Sequence, residues 1–511
     1  MKLEPIQKSS RGLWIVLGLL LPVLLWMSSG LGKWLYAKKR STANHGAVIG
    51  LPNLKNRELL RGQRYYRVIT HFHTIYSFDA CDGRGRLGFQ HNTDRCLQSL
   101  HHAICKNHID ALFYTDHANH MADVPFAELL IERDPKNWIL NSKQEPVAAY
   151  AHCDTASKEP FQGMIIPGLE GRMMAMGMER HSPEGSDQIA WQKRQDLYLS
   201  DQPWAADRLR TETDALIVVP HTESKTDAWI QGLRPDGIEI YNFHANFDPN
   251  IRRQYLDDSA FSHLPILADF LLDPDQSLSP DYLFLEFFKL YPVYLDRWNQ
   301  SIAKGLQLLV VGGTDAHENV FKQKISDDER LDSYRRLTGF MSNWVRSPGS
   351  DYFSIKSALK QRQSFWVLEG LGTPSGFDFH AVTGIVSDAS SDDSKNQIIE
   401  VGGAGEQVKE IVFVTPKFDV ENRYVTQPKL IRSELHHIDQ NAKETIVASV
   451  EGQGQTMIYK NPVAGTYRVH VWMKPTHLRP FVRANFADAE YPWIISNGIK
   501  VSDNLVMPGA L

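Results

Sequence analysis

The sequence predicts an α/β chain in which a (β/α) barrel is followed by a β-sandwich-like domain, and three observations carry that reading. From about residue 65 to 370, short apolar runs alternate with polar, helix-like stretches, as parallel strands buried on both faces do. From residue 371 the texture changes to GFDFHAV, QIIEV, EIVFV, TIVASV, TYRVHVW and YPWIIS, separated by Gly, Pro and Asn turns, which is a sandwich signature. Third, run after run in the first part ends in His, Asp or Glu: THFHTIYSFDA (His71, His73, Asp79), LFYTDH (Asp116, His117), MIIPGLE (Glu170), LIVVPH (His221) and LLVVGGTDAH (Asp315, His317). Parallel barrels carry their chemistry at the C-terminal ends of the strands, so these groups are expected to meet at one mouth.

With 511 residues and 42% hydrophobic content, the chain is long enough for a large core and more than one domain. The N-terminal part, residues 1–40, holds an uncharged apolar segment, Leu13 to Met27, preceded by Lys2, Lys8 and Arg11 and followed by Lys33, Lys38, Lys39 and Arg40. Its length falls between a signal-peptide core of up to ~15 residues and a spanning helix of ~20. Ser28 and Gly30 suit a cleavage site, whereas Leu31, Trp34, Leu35 and Tyr36 extend the helix toward an interface; the uncleaved single-pass anchor is the preferred reading. Basic residues flank both ends, which nearly balances the positive-inside rule. A basic start before an apolar core is the form of export signals, and it places the catalytic part in the periplasm or another extracytoplasmic space.

Residues 41–64 read as a linker. Strands are expected at Tyr66 to Phe72, Asp110 to Thr115, Met164 to Leu169, Ala215 to Val219, Gly237 to Tyr241, Gln307 to Val311 and Phe365 to Leu368. The clearest helix is YLDRWNQSIAKG, with Leu295, Trp298 and Ile302 on one face and Gly305 as its left-handed cap. The segments Ala118 to Gln162 and Asn242 to Tyr294 exceed ordinary loops and are expected to shape the entrance to the mouth.

A net charge of -5 from 55 basic and 60 acidic residues, with no basic stripe among aromatics, argues against a nucleic-acid partner. Cys81, Cys96, Cys105 and Cys153 lack C-x-x-C spacing, which argues against sulfur ligation of metal. In an exported protein Cys81 and Cys96 could staple the loop between them; in cytoplasm all four would be inert thiols. The spacing does not choose a pairing.

An H-x-H pair alone is weak, but together with Glu170, His221, Asp315, His317 and His117 it points to a multinuclear metal site. Mixed imidazole and carboxylate ligands suit Zn, Mn or Fe over Ca or Mg. Two such ions would activate a bridging hydroxide and clamp both oxygens of an in-line displacement. Asp116 is placed to fix imidazole tautomers from outside the ligand set. Arg172, two residues past Glu170, could grip an anionic oxygen bidentately; Arg84, Arg86 and Lys225 have a weaker claim, and Glu239 is expected near the mouth, with a structural hydrogen-bonding role and a catalytic one both open. His101, His102, His108, His244, His436 and His437 read as solvated or packed side chains, and Met173, Met174, Met176 and Met178 as an adaptable core or lid lining.

These motifs, HFHTIYSFDA, YTDH, GLEG, VVPH and GGTDAH, resemble those of the PHP (polymerase and histidinol phosphatase) superfamily over about residues 65 to 370. GIEIYN, QRQSFWVLEGLGTPSGFDFHA and YPWIISNGIKV look like the CehA/McbA-type branch, in which a β-rich domain follows. The resemblance implies a distorted seven-stranded barrel with two or three metals, His71, His73, Asp79, His117, Glu170, His221, Asp315 and His317 as ligands, and hydrolysis of a small phosphoester. A further histidine used by some trinuclear members has no clear counterpart; His181 is the nearest candidate. The CehA-like segments keep open a hydrolase of carboxylic or carbamic esters, and a non-catalytic envelope protein that binds a ligand is the reading from a different class.

Overall fold

The computed structural model describes residues 51–54, 59–83, 93–153, 161–259, 261–272, 278–325, 327–384, 397–418 and 427–502. The apolar segment from Leu13 to Met27 and the arginines Arg84 and Arg86 lie outside the described residues. Among those described, no helix is long and apolar enough to cross a membrane.

The chain is mixed α/β. Its first strands are β1 Arg64–Phe72, β2 Ala111–Phe113, β3 Asp116–His117, β4 Trp138–Leu140, β5 Pro146–His152, β6 Gln162–Ile166, β7 Leu169–Glu170, β8 Met174–Met176, β9 Leu216–Val219, β10 Gly237–Asn242, β11 Leu309–Ala316, β12 Ser342–Ser347 and β13 Ser364–Val367. β1 pairs in parallel with β2, and β2 with β6. Beyond short breaks the same two lines continue as β3 beside β7. β8 then lies antiparallel between β7 and β9, and β9, β10 and β11 run parallel, with β11 returning to β1. Val68, Leu112, Ile165, Val218, Ile238 and Val310 from these strands are all buried, each contributing roughly 1.5–3 kcal/mol as its side chain leaves water.

One expectation is corrected. Phe365 to Leu368 is not part of this circuit: β13 pairs antiparallel with β12 and with Tyr491–Ser496. A fully buried apolar run gives no sign of which way its neighbours point, so the sequence pattern is the same in both settings. The place in the circuit belongs instead to Met174–Met176, whose methionines are fully buried but carry little strand preference.

Helices pack outside. α1 Thr93–Lys106 is tied at Cys96 to Cys81 and at Cys105 to Cys153 by disulfides, so all four cysteines are paired. α2 Pro292–Ala303 starts on Pro292, buries Tyr294 and Trp298, and is followed by Gly305 at φ 81°, the left-handed position expected of a cap. α3 is Tyr334–Phe340.

The C-terminal strands are mostly antiparallel, with Ala404–Gly405 beside Ile499–Val501 a parallel pair. Asp378–Thr383, Ile398–Glu400, Val408–Val414 and Thr456–Lys460 form one sheet. Leu430–Ile438, Glu444–Glu451, Gly465–Lys474 and Tyr491–Ser496 form a second, hydrogen-bonded through Phe365 and Ser496 to β13. The sheet therefore runs on across residue 370 without a gap.

Candidate metal centre

The strand ends bring the ligand candidates together through backbone that ordinary strands avoid. His71, His221 and Asp315 adopt φ of 54°, 48° and 50°, a left-handed conformation that costs free energy for non-glycine residues and collects at functional sites. β1 bulges against β11 between Thr70 and Phe72. His71 and His73 thus converge through a bulge and a strand end, with ring centroids 5.4 Å apart, and not through simple alternation on a strand. At Gly313 an added Cβ would stand 1.9 Å from Glu239 Oε1, so any side chain there would displace the Glu239 carboxylate.

Two carboxylates sit among the imidazoles. His71 Nε2 is 3.4 Å from Glu170 Oε1 and 3.3 Å from Asp315 Oδ1; His73 Nε2 is 3.5 Å from Glu170 Oε2 and 3.1 Å from Asp315 Oδ1. His221 Nε2 is 3.4 Å from Glu170 Oε1 and 3.3 Å from Asp315 Oδ2. On the other side, His117 Nδ1 is 3.2 Å from Glu170 Oε2, and Asp79 Oδ2 lies 3.4 Å from both His117 Nε2 and His317 Nε2. All the expected ligand residues share one site.

Those separations decide the chemistry. A charge-assisted hydrogen bond spans about 2.7–2.9 Å, whereas two ligands at about 2.0–2.2 Å from one tetrahedral ion stand roughly 3.3–3.6 Å apart. The observed contacts, 3.1 to 3.5 Å, fit shared cations. His71 Nε2, His73 Nε2, Asp79 Oδ1, Glu170 Oε2 and Asp315 Oδ1 are buried with no hydrogen-bond partner, which buried polar atoms rarely tolerate. Three overlapping groups can each hold an ion: His71, His73 and Glu170; His71, His221 and Asp315; and His73, His117 and His317.

The opposite ring nitrogens are held from outside. His71 Nδ1 faces Glu239 Oε1 at 2.6 Å, and Glu239 Oε2 accepts from His221 N at 2.9 Å. His221 Nδ1 faces Glu223 Oε1 at 3.2 Å. His73 Nδ1 faces Ser77 Oγ at 2.7 Å, and that hydroxyl in turn bonds Asp116. Asp116 is fully buried and accepts from Thr74 N at 2.6 Å; it holds the loop that carries His73 and does not touch the carboxylate pair. Such partners fix which nitrogen points at a metal. Glu223 and Ser77 escaped the sequence reading, although a glutamate two residues past a strand-end histidine is a usable signal. The charge of Glu239 inside the apolar run IEIY is a stronger one.

Electrostatics agree. Burial pushes Glu170 and Asp315 up, but His71 and its neighbours overcome this and hold both well below the usual carboxylate range. Burial pushes His71 and His221 down, yet the surrounding carboxylates raise both well above their ordinary value, and His317 to about 9. His73 goes the other way, to about 3, through burial and the neighbouring His317. The carboxylates demand positive charge, which protons or divalent ions can supply.

Arg172 is exposed beside Glu170. Lys225, its ammonium 5.5 Å from the Trp229 ring, stands in the field of Glu170, Glu223 and Arg172, and burial moves it below its ordinary value. A narrow cleft next to Asp315 and His317 is walled by Phe243, Phe247, Phe284 and Phe321. His181 lies elsewhere: its Nδ1 meets Tyr198 Oη at 2.9 Å and its Nε2 meets Val124 O at 2.7 Å, so both nitrogens are spent.

No protein-family model matches the chain, and no curated protein matches it. Among solved structures, it is similar to a two-domain protein from Bacteroides vulgatus described as containing a predicted PHP-like metal-dependent phosphoesterase. The identity is 12%, over 88% of this chain and 99% of that one, with a TM-score of 0.30. So loose a superposition adds no weight to what the site's own geometry says: histidine and carboxylate groups that can bind metal ions converge at the strand ends.

Proposed function

We propose that this chain is a metal-dependent phosphoesterase of PHP type, its strand circuit a distorted seven-stranded barrel. The observation that carries the reading is the pair Glu170 and Asp315, each within 3.5 Å of His71, His73 and His221 nitrogens, because two carboxylates shared among several imidazoles suit adjacent ions. Two or three divalent ions of the Zn, Mn or Fe class are proposed. Bound there, they would polarise a phosphoryl oxygen and make water nucleophilic near neutral pH.

The residues supply the rest. Glu170 and Asp315 offset the positive charge, while Glu239, Glu223 and the Ser77–Asp116 pair hold the imidazoles in one tautomer. Lys225 lies in the field of Glu170, where it would grip a free oxygen of an anionic substrate, and the exposed Arg172, two residues past Glu170, is proposed to do the same. That rim favours a phosphoester over a carboxylic or carbamic ester. The CehA/McbA-like assignment rests on the sequence segments alone.

An N-terminal membrane anchor with the catalytic part outside the cytoplasm belongs to the same proposal. The pairing of all four cysteines supports an oxidising compartment.

The test is a screen of the full-length chain, reconstituted in turn with each candidate ion, for inorganic phosphate released from monoesters and diesters, beside carboxylic and carbamic esters. Phosphate release that Asp315→Asn and His73→Ala abolish supports the reading. Metal-loaded protein that cleaves only carbonyl esters, or nothing, overturns it.

A further inference from the structure

We propose that the C-terminal sheet carries a separate divalent-metal site, built by His436, Glu444 and His470 and suited to zinc(II). His436 lies on Leu430–Ile438 and His470 on Gly465–Lys474, whose neighbouring register pairs are Glu434 with His470 and His436 with Arg468. That register puts both imidazoles on one face of the sheet, with ring centroids 4.1 Å apart. Glu444 opens the adjoining strand, and its Oε1 lies 2.7 Å from His436 Nδ1. One ligand atom from each of the three residues falls within 4.8 Å of the other two.

The second observation is an orphan. His470 is 2% exposed, and its Nε2 is buried without a hydrogen-bond partner, whereas His436 Nδ1 is paired with Glu444. Buried polar atoms are rarely left unpaired. The outer contacts are those of a ligand set. His436 Nε2 faces Glu434 Oε2 at 3.3 Å, and Trp472 Nε1 donates to the same oxygen at 2.7 Å, which fixes the ring with Nδ1 toward Glu444. Asn299 of α2 donates to Glu444 Oε2 at 2.9 Å.

The rival is a plain ion-pair network, since Arg468 donates to Glu444 Oε1 at 2.6 Å and stacks 4.2 Å from the Trp298 ring. That network accounts for Glu444 and for His436 Nδ1 and leaves His470 Nε2 unexplained. Two imidazoles and one carboxylate are a zinc donor set that leaves a fourth position for water. Glu444 also lines an open cleft of about 430 Å³ with Trp472 and Glu490, which gives an ion a way in. Because Asn299 and Trp298 belong to α2, an ion here would fasten that helix to the C-terminal sheet.

The experiment counts zinc in the full-length chain after loading and removal of loosely held metal. Wild type should hold one equivalent more than His470→Gln or His436→Gln, whereas Asp315→Asn should lose metal from the strand-end centre and keep this one. Equal zinc in wild type and both histidine variants overturns the site. Wild-type crystals give the reading that survives a variant's failure to fold: an anomalous zinc peak between the three side chains supports the proposal, and its absence beside peaks at the strand-end centre refutes it.

Discussion

Glu239 Oε1 lies 2.6 Å from His71 Nδ1, so a buried carboxylate grips one nitrogen of this ring while the other faces Glu170 and Asp315. The same carboxylate takes His221 N on its second oxygen, and one side chain thereby positions two histidines of the candidate centre. Losing an outer-shell partner of this kind typically costs 10–100-fold in metal affinity. Glu239→Ala is expected to weaken divalent-metal binding by about that factor while leaving the far-ultraviolet circular dichroism unchanged. Competition against a chromophoric chelator reads the affinity, and an unaltered constant would count against the positioning role.

Gly313 tests the same geometry from the backbone side. A methyl group there would sit 1.9 Å from Glu239 Oε1 and 3.0 Å from His71 Cβ, so Gly313→Ala must push the carboxylate off its histidine. Overpacking of this sort costs about 1–3 kcal/mol. The expected outcome is a lower urea midpoint together with reduced metal content. A variant that keeps both would show that Glu239 has another place to go.

Much of the centre was legible because each ligand follows an apolar run, and a buried strand must end before its polar groups can act. The outer partners were harder. Glu223 and Ser77 carry no periodic signal, and their roles depend on which ring nitrogen faces inward. The strand circuit was readable except at Met174–Met176, where methionine gives no strand preference, and at Ser364–Val367, where burial on both faces hides the antiparallel neighbours. His436 and His470 reside in strands whose pattern reads as ordinary sheet, and only the register across Glu434 and Arg468 brings them together.

A second buried relationship sets the response to acid. Arg67 Nε donates to Glu369 Oε1 at 2.8 Å with both side chains fully buried. Burial pushes the Glu369 carboxyl up, but Arg67 and the donors Trp344 and Ser342 hold it below its ordinary value of 4.5. A carboxyl depressed in the folded state stabilises the fold above its unfolded value, and that contribution fades as pH falls through the folded one. Glu369→Gln leaves a buried guanidinium uncompensated and is expected to cost about 3–5 kcal/mol at neutral pH. In urea melts the gap between wild type and variant should narrow steadily below about pH 4.5. A gap that stays constant into acid would contradict the assignment.

The disulfide between Cys81 and Cys96 closes a 15-residue separation beside the third metal group. Cys81 N donates to His317 O at 2.8 Å and Asp82 N to Glu318 O at 3.2 Å, so the loop that carries Asp79 is stitched to the strand end that carries His317. Both Cys81 and Asp82 hold positive φ, 54° and 66°, a conformation that the surroundings must enforce. Removing the cross-link frees the loop to relax and returns about 3 kcal/mol of chain entropy to the unfolded state. The double variant Cys81→Ser, Cys96→Ser is therefore expected to melt earlier. It should also lose metal selectively from the group of His73, His117 and His317, which Asp79 faces, while ions bound at Glu170 and Asp315 stay. Metal counted per chain against urea midpoint separates the two effects: a variant that is destabilised yet fully loaded would show that Asp79 keeps its position without the staple.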